Sequence, residues 1–241
     1  MKERFKHLFN EIFHANGLDS FVTDENVEKF WDLTEVMLKT NAVMNITAIT
    51  DIEKIIPLHY ADCVKIANLI PENATVADIG CGGGFPILPL SIVRPDLKIV
   101  GIDSTEKKVK YVSEVGHMLG LNIETVADRA EALARLPEMR QKFDVVVSRA
   151  VARLNILDEL CMPFVKPDGI FIAMKGAAGL QELDEASSGI KILGGTLEQK
   201  IEYSLKLREQ EEKRTVFVVR QNGKIDHVYP RPFANIKKKP L

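Results

Sequence analysis

Residues 74–86 read ATVADIGCGGGFP, a near-continuous apolar run that passes directly into a turn with glycine at 80, 82, 83 and 84. The run is short and apolar at most positions, which predicts a strand buried on both faces of a sheet. Gly80, Gly82 and Gly84 allow a sharp turn with positive φ and let a ligand touch the backbone. Pro86 suits the first turn of a helix, where its missing N–H costs little. A strand–glycine turn–helix unit belongs to open parallel sheets, whose ligands bind at the carboxyl ends of the strands.

The texture of the chain beyond residue 74 agrees. The apolar runs KIVGID, NIETV, FDVVVS and GIFIAM recur between helical stretches at about 86–93, 105–119, 130–136, 153–162 and 178–190. Two β-rich runs, GTLEQKIEYSL and RTVFVVR, follow with no helix between them, which predicts an antiparallel hairpin at one edge. The expected fold is α/β and Rossmann-like: a mostly parallel, seven-stranded sheet closed by a C-terminal antiparallel hairpin. This is the element order of class I methyltransferases, although other doubly wound folds share most of it.

A helical segment precedes the sheet. Phe5, Leu8, Phe9, Ile12 and Phe13 repeat at helical spacing, giving a helix over 3–15 that ends at Gly17. Thr23 is placed to cap a second helix, with Asp24 and Glu25 at its positive end and a buried stripe of Val27, Phe30, Trp31, Thr34 and Leu38. NAVMNIT then reads as a loop, followed by helical pieces at 51–56 and 58–70. Pro71 and Asn73 set a boundary between a helical segment, 1–70, and the sheet domain, 71–241.

The glycine turn also bears on the ligand. A dinucleotide fingerprint needs a third glycine at position 85 so that a pyrophosphate can approach the helix. Position 85 is Phe, with Pro86 after it. That crowding suits a cofactor without phosphate, and S-adenosylmethionine is one. Asp103 ends the second strand roughly twenty residues beyond the glycines, where a carboxylate accepts both ribose hydroxyls. Ser104 or Thr105 is the better helix cap, which leaves Asp103 free. Asp78 has two roles open to it, bonding loop amides or receiving the cofactor's ammonium group. Asp128, Arg129, Ala130 and Glu131 follow the third strand, at the adenine side or as the opening of a helix.

Composition narrows the class. Of 241 residues 46% are hydrophobic and 27% charged, as in a soluble globular protein. The net charge of −2 argues against a wholly basic nucleic-acid coat and leaves room for a local basic patch. The opening MKERFKHLFNEIFHANG carries charges inside its apolar stretch, unlike a signal or transit peptide, and no apolar run approaches a membrane span. Cys63, Cys81 and Cys161 lie far apart, with no zinc spacing. The expectation is a cytoplasmic protein with reduced thiols, no metal and no membrane contact.

Several motifs together resemble the RsmG (GidB) family: DIGCGGGFP, the triplet Ser148, Arg149, Ala150 after strand four, Lys175 and Gly176 after strand five, and a tail ending YPR…KKKPL. NIT at 45–47 and HYADC at 59–63 extend the likeness, which covers nearly the whole chain. The resemblance implies a methyltransferase acting on N7 of a guanine in small-subunit (16S) ribosomal RNA. Its partner would be the RNA or the 30S subunit. A monomer is the expectation, although the sequence itself does not give the oligomeric state. It also implies cofactor contacts from Gly80, Phe85, Ala130, Glu131 and Arg149. Cys81 and Cys63 depart from the usual small residues there. The tail lacks the family's glycine and extra proline before its lysines.

Guanine N7 carries a lone pair and no proton, so alignment does the work that a general base does elsewhere; effective molarities from positioning reach roughly 10⁵ M or more. No NPPY-type amine clamp follows strand four, and Cys81 reads as structural. Arg149, at the ligand edge of the sheet, is suited to bond the cofactor, stack on the base or hold a phosphate. A surface salt bridge is its plain alternative. Asn45, His59 and Asp62 are the helical segment's candidates for the substrate side, with a purely structural histidine equally open. Lys175, Arg231, Lys237, Lys238 and Lys239 are candidates for RNA contact, or are simply solvated. A small-molecule methyltransferase, an NAD-dependent oxidoreductase and a non-catalytic ribosome-assembly factor are the competing readings.

Overall fold

The structure, a computed structural model, describes residues 1–241. Helix α1, Lys2–Ala15, turns Phe5, Leu8, Phe9, Ile12 and Phe13 inward. Helix α2, Asp24–Met44, starts where the Thr23 hydroxyl accepts the Asn26 N–H at 3.2 Å. It continues through residues 41–44, which the sequence assigned to a loop. Neither Gly nor Pro interrupts that stretch, and the helix stops at Asn45, which adopts the left-handed conformation with φ 49°. Leu33 and Met37 join its buried face, and Leu38 is only half-buried.

The two expected helical pieces after it are one. Helix α3, Ile52–Ile55, is capped by the Asp51 carboxylate and runs without a break into a π-helical stretch, Ile56–Ala61, and then α4, Asp62–Val64. Pro57 lies in that stretch, and the wider turn accommodates a residue with no N–H to donate.

The sheet domain alternates as expected: β1 Thr75–Ile79, α5 Ile87–Val93, β2 Lys98–Asp103, α6 Glu106–Met118, β3 Ile123–Ala127, α7 Ala130–Leu133, β4 Phe143–Arg149, α8 Leu154–Cys161, β5 Val165–Lys175 and α9 Gly179–Ile192. Strands β6, Gly195–Leu207, and β7, Gln210–Gln221, then form the hairpin, and α10, Phe233–Lys238, closes the chain. The order across the seven strands is β3-β2-β1-β4-β5-β7-β6. β1 to β5 are parallel, whereas β7 runs antiparallel to both β5 and β6. The hairpin strands outrun their apolar signal because residues 206–213, KLREQEEK, hold one apolar side chain, Leu207. Backbone pairing and ion pairs such as Lys206 with Glu211 hold them instead.

Successive strand residues feed two cores. Val76, Val145, Val147, Ile170 and Ile172 pack with α1, α2, α5 and the 52–70 helix in one cluster of 43 buried residues. Ala77, Val146, Phe171 and Ala173 pack with α8 and α9 in a second cluster of 23. This period of two is the direct result of a sheet covered on both faces. The first cluster draws on both the helical segment and the sheet, so the carboxyl ends of β1 and β4 lie against residues 45–62.

Candidate active site

A cavity of about 480 Å³ opens at the carboxyl ends of β1, β2 and β4, with the glycine turn as its floor. The Gly80 and Cys81 N–H groups donate to the Ile102 carbonyl at 2.8 and 3.0 Å, tying the turn to β2. Gly80 has φ 80°, and a Cβ there would stand 2.4 Å from Val151 Cγ2. Gly82 has φ 53°, and a Cβ there would meet nothing nearer than the Gly80 carbonyl at 3.8 Å, because it would point into the cavity. Gly84 does not line the cavity; its missing side chain makes way for Leu88 at the start of α5. Pro86 is the residue before α5 instead of its first turn.

Asp103 lines the cavity but is not free, as the sequence suggested. Its Oδ2 accepts the Gly82 N–H at 3.0 Å and its Oδ1 the Thr105 N–H at 2.8 Å, while α6 itself starts after Thr105 with no side-chain cap. Lone pairs remain on both oxygens for a further donor. Asp78 lies beneath the turn, fully buried, with no hydrogen-bond partner on either carboxylate oxygen. The loop-amide role is therefore not the one it plays. Burial, and then the negative charge of Asp103, push its carboxyl well above the usual range.

Phe85 forms part of the wall. Its ring lies flat on His59, with centroids 4.4 Å apart and planes 13° from parallel. His59 Nε2 is 2.8 Å from the Thr47 hydroxyl, and Nδ1 is buried without a partner. Burial, helped by the charge of Arg149, draws the imidazole down to about 3, so His59 is neutral. It stands behind Phe85 and lines neither this cavity nor the next. Asn45 is exposed at the end of α2, and its neighbour Ile46 reaches the cavity in its place. Ala130 and Glu131 open α7 on the far wall beside Asp128 and Arg129.

Arg149 ends β4 and is no surface residue. Its Nε donates to Asp62 Oδ2 at 3.1 Å and its guanidinium to the Leu58 carbonyl at 2.6 Å. The Asp62 Oδ1 accepts from the Tyr203 hydroxyl at 3.0 Å and from Arg214 Nε at 3.2 Å. The next residue, Ala150, has φ 58°, a strained value for alanine that turns the chain sharply at the site. Arg149 and Ala150 also line a second cavity of about 370 Å³, whose walls include Asp62, Lys175, Glu182, Tyr203 and Arg214.

Two candidate RNA contacts already have partners within the protein. Lys175 is 2.9 Å from Glu182 with its side chain only 8% exposed, so it is not a solvated lysine. Arg231 grips the buried Glu159 with Nε at 2.9 and 3.1 Å from the two oxygens, which fixes the tail. Lys237, Lys238 and Lys239 are exposed on and after α10. The tail brings Phe233 into the first cavity, a residue no local motif singled out. Lys108, also in the cavity, sits on α6 just past Asp103, where the register of that helix could have flagged it. Burial pushes the Cys81 thiol up, so no thiolate stands in the turn.

A family profile described as "GidB: rRNA small subunit methyltransferase G" matches residues 26–211. The chain belongs to that family. Full-length relatives agree. Ribosomal RNA small subunit methyltransferase G of Acetivibrio thermocellus is 40% identical over 94% of this chain and 93% of its own length. The protein of the same name from Oceanobacillus iheyensis is 36% identical over 99% and 98%. Among solved structures, the YcgJ protein of Bacillus subtilis shares the sheet domain, with a TM-score of 0.53 at 16% identity, over 68% of this chain and 99% of that one. M. jannaschii TYW2, solved in complex with AdoMet, gives a TM-score of 0.51 at 17% identity, over 68% and 76%. These two likenesses carry the fold. No group of three or more His, Cys, Asp or Glu side chains is arranged to hold a metal, and no helix is long and apolar enough to cross a membrane.

Proposed function

We propose that the first cavity holds S-adenosylmethionine and that the enzyme transfers its methyl group to N7 of a guanine in small-subunit (16S) ribosomal RNA. The observation that carries the cofactor assignment is Phe85. Where a dinucleotide site needs a third glycine, this family member has an aromatic ring stacked on His59, and that ring stands where a phosphate would approach the helix. Asp78 fits the same group. It lies under the cavity and outside its lining, and a buried carboxyl with no protein partner is what an amino-acid ammonium reaching through the turn would satisfy.

In this reading Gly80, Gly82 and Gly84 keep the turn tight, and Asp103 takes the ribose while still holding Gly82. Ala130 and Glu131 border the adenine, and Phe85 and Arg149 flank the methionine end. When bound, the cofactor would supply an electrophilic methyl on sulfonium to the guanine N7 lone pair, with the carbon–sulfur electron pair leaving on sulfur. The protein has no proton to move at N7. The neutral His59 is consistent with that, since it backs Phe85 and offers no charge to the reaction. What the chain contributes is alignment, through the Arg149–Asp62 junction that fixes the helical segment, 1–70, against the methyltransferase domain, 71–241. The enzyme works as a monomer in the cytoplasm on the RNA or the 30S subunit.

The test is labelled methyl transfer to small-subunit RNA and particles from cells lacking the gene, followed by mass mapping of the product. Label at one guanine, sensitive to cleavage chemistry specific for N7, is expected. Label on another atom, or none, overturns the reading.

A further inference from the structure

We infer that Lys175 and Glu182 are the pair that reads the acceptor base as guanine. The inference rests on the function proposed above and assigns the second cavity, about 370 Å³, to the base. That cavity shares Arg149 and Ala150 with the first, so a base lodged in it stands beside the methyl donor.

Both side chains are held in place before any base arrives. Lys175 Nζ donates to the Ala152 carbonyl at 2.5 Å and pairs with Glu182 Oε2 at 2.9 Å. The same Oε2 accepts the Leu154 N–H at 2.8 Å, at the start of α8. One ammonium N–H of Lys175 and the Oε1 of Glu182 are left without protein partners, and both residues line the cavity. The cavity lining therefore includes, side by side, a residue with an unused donor and one with an unused acceptor.

Guanine carries the complement on adjacent atoms: O6 accepts and N1–H donates. Adenine carries the reverse, an amino donor at C6 and an acceptor at N1, and would set donor against donor. Holding O6 and N1–H leaves N7 unengaged on the neighbouring edge. The pair has no net charge, so it does not oppose the positive charge that N7 gains as the methyl arrives. The competing account is a structural clamp between β5, α8 and α9, yet a buried ion pair by itself adds little to stability.

Three RNAs differing only at the target base separate these accounts. Guanosine presents O6 and N1–H. Inosine keeps both and lacks the 2-amino group. 2-Aminopurine keeps N7 and the 2-amino group but has no O6 and an acceptor at N1. For the wild-type enzyme, kcat/KM with inosine is expected near that with guanosine, and with 2-aminopurine at least about a hundredfold lower. In Lys175→Met and Glu182→Gln the guanosine-to-2-aminopurine ratio is expected to shrink to about tenfold or less. A clamp would lower both substrates together and leave the ratio intact. That outcome, or a wild-type ratio near one, overturns the inference. The wild-type comparison stands even if a variant fails to fold. Failure of the wild type to methylate the guanosine RNA at all would instead strike the proposed function.

Discussion

Asp62 and Arg149 meet where the helical segment abuts the sheet, with Nε 3.1 Å from Oδ2 and the Asp62 side chain only 3% exposed. One carboxylate serves two arginines, because its other oxygen takes Arg214 and the Tyr203 hydroxyl. The pair is therefore unequal. Losing Asp62 leaves the half-buried Arg149 with the Leu58 carbonyl alone and Arg214 with Glu212 alone, whereas losing Arg149 leaves Asp62 still satisfied by two partners.

From that inequality we expect Asp62→Ala to cost about 3–5 kcal/mol of folding stability, and Arg149→Met clearly less. Methyl transfer should fall in the opposite order relative to stability, since Arg149 lines both cavities. Urea unfolding alongside single-turnover transfer checks this. Equal stability losses in the two variants would show that Asp62 is not the hub.

The two glycines of the turn should fail differently. Gly82→Asp places its side chain in open cavity, so the protein should fold, at a cost of roughly 1–2 kcal/mol for a left-handed non-glycine residue. It should bind no S-adenosylmethionine by calorimetry. Gly80→Ala must displace Val151 and should lose stability as well as affinity. A Gly82→Asp protein with unchanged affinity would remove the cradle from the account.

Asp158 gives a pH signature. It is buried on α8 with Oδ2 unpartnered, and burial raises its carboxyl to about 7. Between about pH 4 and pH 7 the unfolded chain releases this proton and the folded protein keeps it. Stability therefore falls as pH rises, by up to about 1.4 kcal/mol per pH unit from this group, and the effect levels off above 7. Asp158→Asn carries no such proton. Its stability relative to wild type should climb with pH across that window and then run flat. A difference that does not vary with pH would mean that Asp158 is ionised in the fold.

What the sequence made legible were features with local causes. The apolar runs of β1, β2, β4 and β5, the Thr23 cap and the glycine turn each follow from neighbours along the chain. The end of α2 was missed because Asn45, not a Gly or Pro, ends it. The two 51–70 helices were split at Pro57, which a π-helical turn absorbs. Asp62 meets Arg149 and Arg214 across 87 and 152 residues, and no spacing within either segment announces that. Lys175 and Arg231 read as surface cations in the sequence because their partners, Glu182 and Glu159, lie on other elements. Charge at a position is visible in a sequence; whether another element neutralises it is decided by topology.

The tail separates free cations from committed ones. Lys237, Lys238 and Lys239 are exposed and make no ion pair, while Arg231 is bound to the fully buried Glu159. Phosphate contacts release counterions, and each lysine that makes one adds roughly 0.7–0.9 to the slope of log affinity against log salt. Replacing all three by Gln should weaken RNA binding and flatten that slope by about 2–3, with S-adenosylmethionine affinity and thermal stability unchanged. Arg231→Ala should do the reverse, lowering stability because Glu159 is left buried without its cation, and changing the salt slope little. Salt-titrated binding of small-subunit RNA, paired with thermal melts, checks both. If the triple variant keeps the wild-type slope, the lysines are merely solvated, and the RNA must be held from the cavity side alone.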